Sequence, residues 1–140
     1  MSVTMKILAL DLGDAWVGTA LSDALGILAT PYQTVPFNEL RPFLKTFFTK
    51  EKVATVVVGY PKTLKGTESE QTKKIIKEKE LLEVEFPSYS WILWDERLTS
   101  KQAQQKMSPK DPKQKVHSIA AALILETYLM HKEFLKSLES

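Results

Sequence analysis

Lys6-Ile7-Leu8-Ala9-Leu10-Asp11-Leu12-Gly13 sets four uninterrupted apolar residues directly before a carboxylate and a turn signal. A continuous apolar run closed by a turn is the pattern of a buried strand, read here over Lys6 to Asp11. Beyond the turn, Trp16 to Ser22 reads as a second strand and Ile27 to Val35 as a third, with Asp23 to Gly26 between them. The chain therefore opens on a three-stranded antiparallel meander. Proline has no amide to give a ladder, so Pro31 predicts that the third strand lies at an edge or carries an irregularity.

From Asn38, read as an N-cap, Leu40, Phe43, Leu44, Phe47 and Phe48 recur at helical spacing and predict an amphipathic helix ending near Lys50. Ala54 to Val58 (Ala-Thr-Val-Val-Val) is β-branched and apolar on both faces, the pattern of a strand covered on both sides. Gly59 to Thr67 reads as a loop, and Thr67 with Glu70 forms a capping-box pattern opening a lysine-rich helix to about Leu82. Ser90 to Asp95 is the fifth strand. A helix from about Thr99 to Met107, a loop around Pro109 and Pro112, and a long apolar helix from Val116 to Leu138 complete the chain. Three antiparallel strands followed by two parallel ones alternating with helices give an α/β fold, a five-stranded mixed sheet flanked by helices. At 140 residues this fits one domain, residues 1–140, which should bury roughly 68–70% of its unfolded surface.

Composition excludes several classes of function. With no cysteine, neither a disulfide framework nor a cysteine-ligated zinc site is available. The apolar run Ile7 to Leu10 is too short for a signal-peptide core or a membrane span, so a cytoplasmic protein with no membrane contact is expected. A net charge of +2 does not by itself indicate a nucleic-acid partner. The distribution is more informative: Lys101, Lys106, Lys110, Lys113 and Lys115 fall in one stretch whose only acid is Asp111. Such a run is either a solvated loop or a phosphate-neutralising rim.

Asp11 ends an apolar strand, where a carboxylate is costly to bury without a partner or a cation. Alone it would read as a turn-shaping aspartate beside Gly13. Glu96 directly follows the fifth strand, and carboxyl ends of such strands face the crevice where sheet-based sites form. Alone it would pair with Arg97. His117 opens the last helix, which alone would be an ordinary helix start. If the first strand neighbours both parallel strands, Asp11, Glu96 and the start of the last helix converge. Converging carboxylates repel, and a divalent cation, Mg²⁺ or Mn²⁺, reverses that sign. In phosphodiester hydrolysis such a cluster holds one or two metals that activate water and stabilise the leaving oxygen. Arg97 would fork a phosphate, and the five lysines would rim the site.

Four blocks of the chain resemble a known family. They are Asp11-Leu-Gly13 with Val17-Gly18-Thr-Ala-Leu-Ser22-Asp23; Val58-Gly59-Tyr-Pro61 with Gly66-Thr67-Glu68; Asp95-Glu96-Arg97-Leu98-Thr99; and Ser118-Ile-Ala-Ala-Ala-Leu-Ile-Leu125. In this order and spacing they are similar to the YqgF/RuvX family. The resemblance implies an RNase H-like fold related to the Holliday-junction resolvases, and a bacterial nuclease maturing the 5′ end of pre-16S rRNA in ribosome biogenesis. It also maps the family's catalytic acids to Asp11 and Glu96. Two departures stand out. The family's Val-Asp-Ser at the start of the last helix is Val116-His117-Ser118 here, and Trp16 replaces the basic residue usual before the Val-Gly pair. His117 is thus the expected third metal ligand and catalytic group in place of an acid.

The expected partner is nucleic acid, pre-rRNA before structured DNA, with ribosomal precursor particles as its setting and a monomeric or weakly dimeric chain. Two alternatives remain at this level: a non-catalytic nucleic-acid-binding or ribosome-assembly module of the same fold, and a junction-resolving DNA nuclease. An actin-like ATPase or sugar kinase would need two such domains around a cleft, and Gly59 to Gly66 lacks the Gly-Lys-Ser/Thr ending of a phosphate-binding P-loop.

Overall fold

The computed structural model describes residues 5–60, 70–95 and 115–139. Strands β1 (Lys6–Leu12), β2 (Trp16–Ser22) and β3 (Ala29–Pro36) lead through a 3-10 turn (Phe37–Glu39) into α1 (Leu40–Lys50), followed by β4 (Val53–Tyr60), α2 (Glu70–Glu85), β5 (Ser90–Asp95) and α3 (Lys115–Glu139). The five strands form one sheet in the order β3-β2-β1-β4-β5. β2 runs antiparallel to β1 and β3, whereas β4 runs parallel to β1 and β5. This is the expected mixed α/β architecture. One expected neighbour relation is corrected: β5 pairs with β4 alone, so β1 and β5 are separated by a strand.

β1 is buried on both faces, which explains its unbroken apolar run. Leu8, Leu10, Leu12, Val56 and Val58 pack with Leu40, Leu44 and Phe47 of α1 and with Ile75 and Leu82 of α2. On the opposite face, Ile7, Ala9, Ala20 and Val57 meet Ala121, Ile124, Leu125 and Leu129 of α3. Alanines on both sides of that second layer let α3 lie close to the sheet. Among the described residues, no helix is long and apolar enough to cross a membrane.

Four local expectations change, the first being that Gly59 and Tyr60, read as the start of a loop, continue β4. Ile27 and Leu28 precede β3 instead of starting it, because Asp23 Oδ1 accepts their amides at 2.7 and 3.1 Å and Gly26 takes a positive φ of 70°. The side chain thereby competes with the ladder for those donors, and the same two bonds hold the Asp23 carboxyl below its ordinary pKa. Asn38 is not an N-cap: it sits inside the 3-10 turn, and Glu39 precedes α1 with no side-chain capping bond. α2 runs on to Glu85, one turn past Leu82. The proposed cap at Thr67 and the helix from Thr99 to Met107 lie outside the described residues.

Pro31 does what its chemistry requires. β3 is an edge strand, and its register against β2 shifts between Gly18 and Ala20. At that irregularity the fully buried Thr19 hydroxyl donates to the Gln33 carbonyl at 2.6 Å and accepts the Gln33 amide at 2.9 Å, replacing a lost ladder step. Thr19→Val keeps the shape and removes both bonds. It should cost about 1–3 kcal/mol in urea unfolding, about 0.5–1.5 for each part-buried bond lost.

Candidate functional site

Asp11 is the penultimate residue of β1, only 8% exposed despite its charge. Across the sheet it sits in register with Gly18 of β2 and Gly59 of β4, and Gly59 in turn with Trp94 of β5. Both positions flanking the carboxylate therefore lack side chains. On the β2 side that room is taken by α3. A Cβ placed on Gly18 would overlap the backbone carbonyl group of His117 and come within 2.6 Å of the Ser118 amide nitrogen. Gly13 is nearly as tight: its amide donates to the Trp16 carbonyl at 2.9 Å, and a Cβ there would lie 2.7 Å from that oxygen and 3.2 Å from His117 Cε1.

These two glycines let the first turn of α3 settle onto the β1–β2 hairpin. The result is a contact between residues 106 apart in sequence, with His117 Nδ1 3.2 Å from Asp11 Oδ2. Ser118 is buried beside it, its hydroxyl donating to the Lys115 carbonyl at 3.0 Å. The hydrogen bond with Asp11 raises the His117 pKa above 6.5, burial works against it, and the carboxylate's charge adds to the rise. With Nδ1 turned to Asp11, Nε2 is the ring nitrogen left to receive a ligand or exchange a proton.

The raised value has a consequence for stability. The folded chain binds this proton more tightly than the unfolded chain, so the pair's stabilisation is complete below about pH 6.5 and fades as pH rises through the raised value. The urea midpoint of the wild type should therefore fall as pH rises above about 6.5, and His117→Ala should flatten that fall.

The sequence expectation of convergence between Asp11 and the start of the last helix is met. Its third corner is not described: Glu96 and Arg97 lie outside the described residues, as do Lys101, Lys106, Lys110 and Lys113. β5 ends with Asp95 opposite Tyr60, one step past the row of Asp11. Trp94, in that row, packs on α3, its indole N–H donating to Thr127 Oγ1 at 2.9 Å and its ring meeting Tyr128 edge-on at 5.3 Å. Lys115 is the exposed first residue of α3, one position before the predicted start. Among the described residues, no three His, Asp or Glu side chains gather as a metal cluster. What sequence reasoning missed is the steric role of Gly18. Its only signal was a small residue amid a strand of buried side chains, which marks close backbone approach.

The sequence model of the family described as RuvX, Holliday junction resolvase, matches residues 5–131. A Rubrobacter xylanophilus protein named "Putative pre-16S rRNA nuclease" is 35% identical over 127 residues, covering 89% of this chain and 91% of its own. A protein of the same name from a Geobacillus species is 37% identical over 139 residues, covering 92% and 100%. Among solved structures, Thermus thermophilus RuvC in complex with a Holliday junction substrate superposes with a TM-score of 0.57 at 10% identity, over 92% of this chain and 96% of that one. At that identity the likeness establishes the RNase H-like fold and nothing finer.

Proposed function

Since the chain belongs to the RuvX family of Holliday junction resolvase-like proteins, we propose that it is a nuclease hydrolysing nucleic-acid phosphodiester bonds, with a pre-16S rRNA precursor as its substrate. The observation that carries this reading is Asp11, a buried carboxylate at the carboxyl edge of the sheet, flanked by glycines and met by His117 at 3.2 Å. The substrate assignment draws on the names of the relatives.

We assign Asp11, Glu96 and His117 as the residues that hold a divalent cation. A carboxylate oxygen and an imidazole nitrogen stand 3.2 Å apart at the site, and both are ligand types such a cation takes once the ring gives up its hydrogen bond to Asp11. Such a cation supplies Lewis acidity and activation of water. For its part, the chain must keep Asp11 ionised and His117 neutral when they serve as ligands, and α3 must hold the imidazole over β1. Arg97 and the lysines from Lys101 to Lys115 are proposed to neutralise flanking phosphates. The setting is the cytoplasm, on nucleic acid within ribosomal precursor particles.

A second reading has its own support. The Asp11–His117 pair compensates the buried carboxylate without any cation, which suits a nucleic-acid-binding module that turns over nothing. Incubating the purified protein with Mg²⁺ or Mn²⁺ and a pre-rRNA 5′ leader, duplex DNA or a four-way junction separates the two. Cleavage of any of them supports the nuclease, and binding without cleavage under all conditions supports the module.

The histidine also predicts a metal preference. Imidazole suits transition ions better than Mg²⁺, which favours oxygen ligands. Mn²⁺ should therefore support more cleavage than Mg²⁺, and His117→Asp should raise Mg²⁺-supported cleavage by roughly tenfold or more, the scale of changes close to a metal. Equal rates in both metals and both proteins would remove His117 from the ligand set.

A further inference from the structure

A second feature adjoins the site on the other face of the sheet. Strand residues alternate in direction, so Asp11 faces α3 while Leu12 joins the core beneath α1 and α2. Leu12, Gly13 and Asp14 form one wall of a cleft of about 340 Å³, and α2 forms the opposite wall. Its floor is apolar, made by Leu12, Phe37 and Ile75, with Leu81 half-exposed at the lip. Its rim carries Gln71, Lys74, Lys77 and Glu78, with the exposed Asp14 on the facing wall.

The charges on that rim are unusually placed. Elsewhere on α2, Lys73 pairs with Glu70 and Lys79 with Glu83. Glu78 stands one helical turn from Lys74 but is engaged by Arg41 of α1, with Arg41 Nη1 2.8 Å from Glu78 Oε1. Among the described residues, Lys74 and Lys77 have no acidic partner within 4.0 Å, and both are exposed. Two lysines three residues apart, unpaired among the described residues, thus border a cleft with an apolar floor that begins at the residue after Asp11.

We propose that this cleft is a single-strand subsite: an unpaired base flanking the cleaved phosphate inserts against Phe37 and Leu81 while Lys74 and Lys77 neutralise the adjoining phosphates. The inference rests on the nuclease reading of the Asp11 site and adds to it a requirement for an unpaired nucleotide beside the cut. Base stacking on an aromatic ring is tolerant of sequence, because every base has a π face. Lysines contact phosphate without reading bases. A volume of this size lies at the lower end of small-molecule sites and suits one base with part of its sugar. A strand crossing the carboxyl edge of the sheet would place one phosphate over Asp11 on the α3 side and the neighbouring base in the cleft on the α2 side.

The test uses the full chain in EDTA, with fluorescence anisotropy on 12-nucleotide single strands of uridine, of thymidine, and of an abasic sugar-phosphate chain of equal length and charge. The wild type should bind at least one of the two base-bearing strands roughly tenfold more tightly than the abasic strand. Leu81→Asn, which changes no charge, should erase most of that difference. Lys74→Ala combined with Lys77→Ala should weaken all strands together and reduce the salt slope by roughly 1.4, about 0.7 for each lost single-strand contact. All three substitutions are at exposed positions, and a retained thermal midpoint confirms folding. If the wild type binds but does not distinguish bases from abasic chain, or if Leu81→Asn and the double-lysine variant behave as wild type, the subsite is refuted. The nuclease reading survives that result when cleavage occurs and Asp11→Asn stops it. If no strand binds and no nucleic acid is cleaved, both readings fall.

Discussion

Gly18→Ala should destabilise the chain by about 3 kcal/mol and abolish nuclease activity together, a large effect for one added methyl group. Most small-to-large changes in a core are absorbed by rotation of flexible neighbours. Here the added carbon would meet the backbone carbonyl of His117 and the amide of Ser118, which belong to the first turn of α3 and have no rotamer to change. Relief requires lifting the whole helix end. That movement opens the Ala9–Ala20–Ala121 layer and withdraws His117 from Asp11 at once. Urea unfolding gives the stability change directly, and loss of the pH-dependent part of that stability would show that the Asp11–His117 pair has separated. An alanine variant with an unchanged midpoint would mean that α3 does not rest on β2 as described.

Asp11→Asn should eliminate cleavage, lowering the rate by about 10²–10³-fold at the least, which is the scale for removing a single charge-stabilising group from an active site. The amide is nearly isosteric, so β1 packing is retained. It can still accept the His117 Nδ1–H, but it no longer favours the imidazolium. Stability should therefore depend on pH: about 1 kcal/mol lower than wild type near pH 5.5, with the difference closing as pH rises through the raised His117 value. Together, activity and stability distinguish the two roles open to this residue. A turn-shaping aspartate would lower stability at every pH and leave some cleavage, whereas a metal-holding one would lose cleavage at every pH.

The sheet was legible where one physical rule acted alone. Trp16–Ser22 and Ser90–Asp95 have the bounds that their residues predict, and Pro31 marks both the sheet edge and the register shift. Errors arose where a side chain intercepted the backbone. Asp23 captured the amides of Ile27 and Leu28, two residues whose apolar character alone reads as strand. The 3-10 turn at Phe37–Glu39 absorbed Asn38 before it could cap anything. Strand adjacency was beyond local pattern altogether, since nothing within Val53–Tyr60 or Ser90–Asp95 states which of the two lies beside β1. For the site, the residue types were readable but their contact was not. Asp11 and His117 are joined through Gly13 and Gly18, whose significance lies in atoms they lack and in a helix that begins about a hundred residues later.

α3 finally divides into two mechanically different halves. From Ser118 to Leu129 its buried residues are clamped on the sheet, whereas every residue from His131 to Glu139 is exposed, with Phe134, Leu135 and Leu138 among them. Nine residues are too few for a helix to persist in water on its own hydrogen bonds. The outer half is thus templated by the inner one, while the half bearing His117 opens only when the sheet does. A helix built this way confines its thermal motion to the end away from the site. The imidazole stays over β1 even as the far turns unwind and reform.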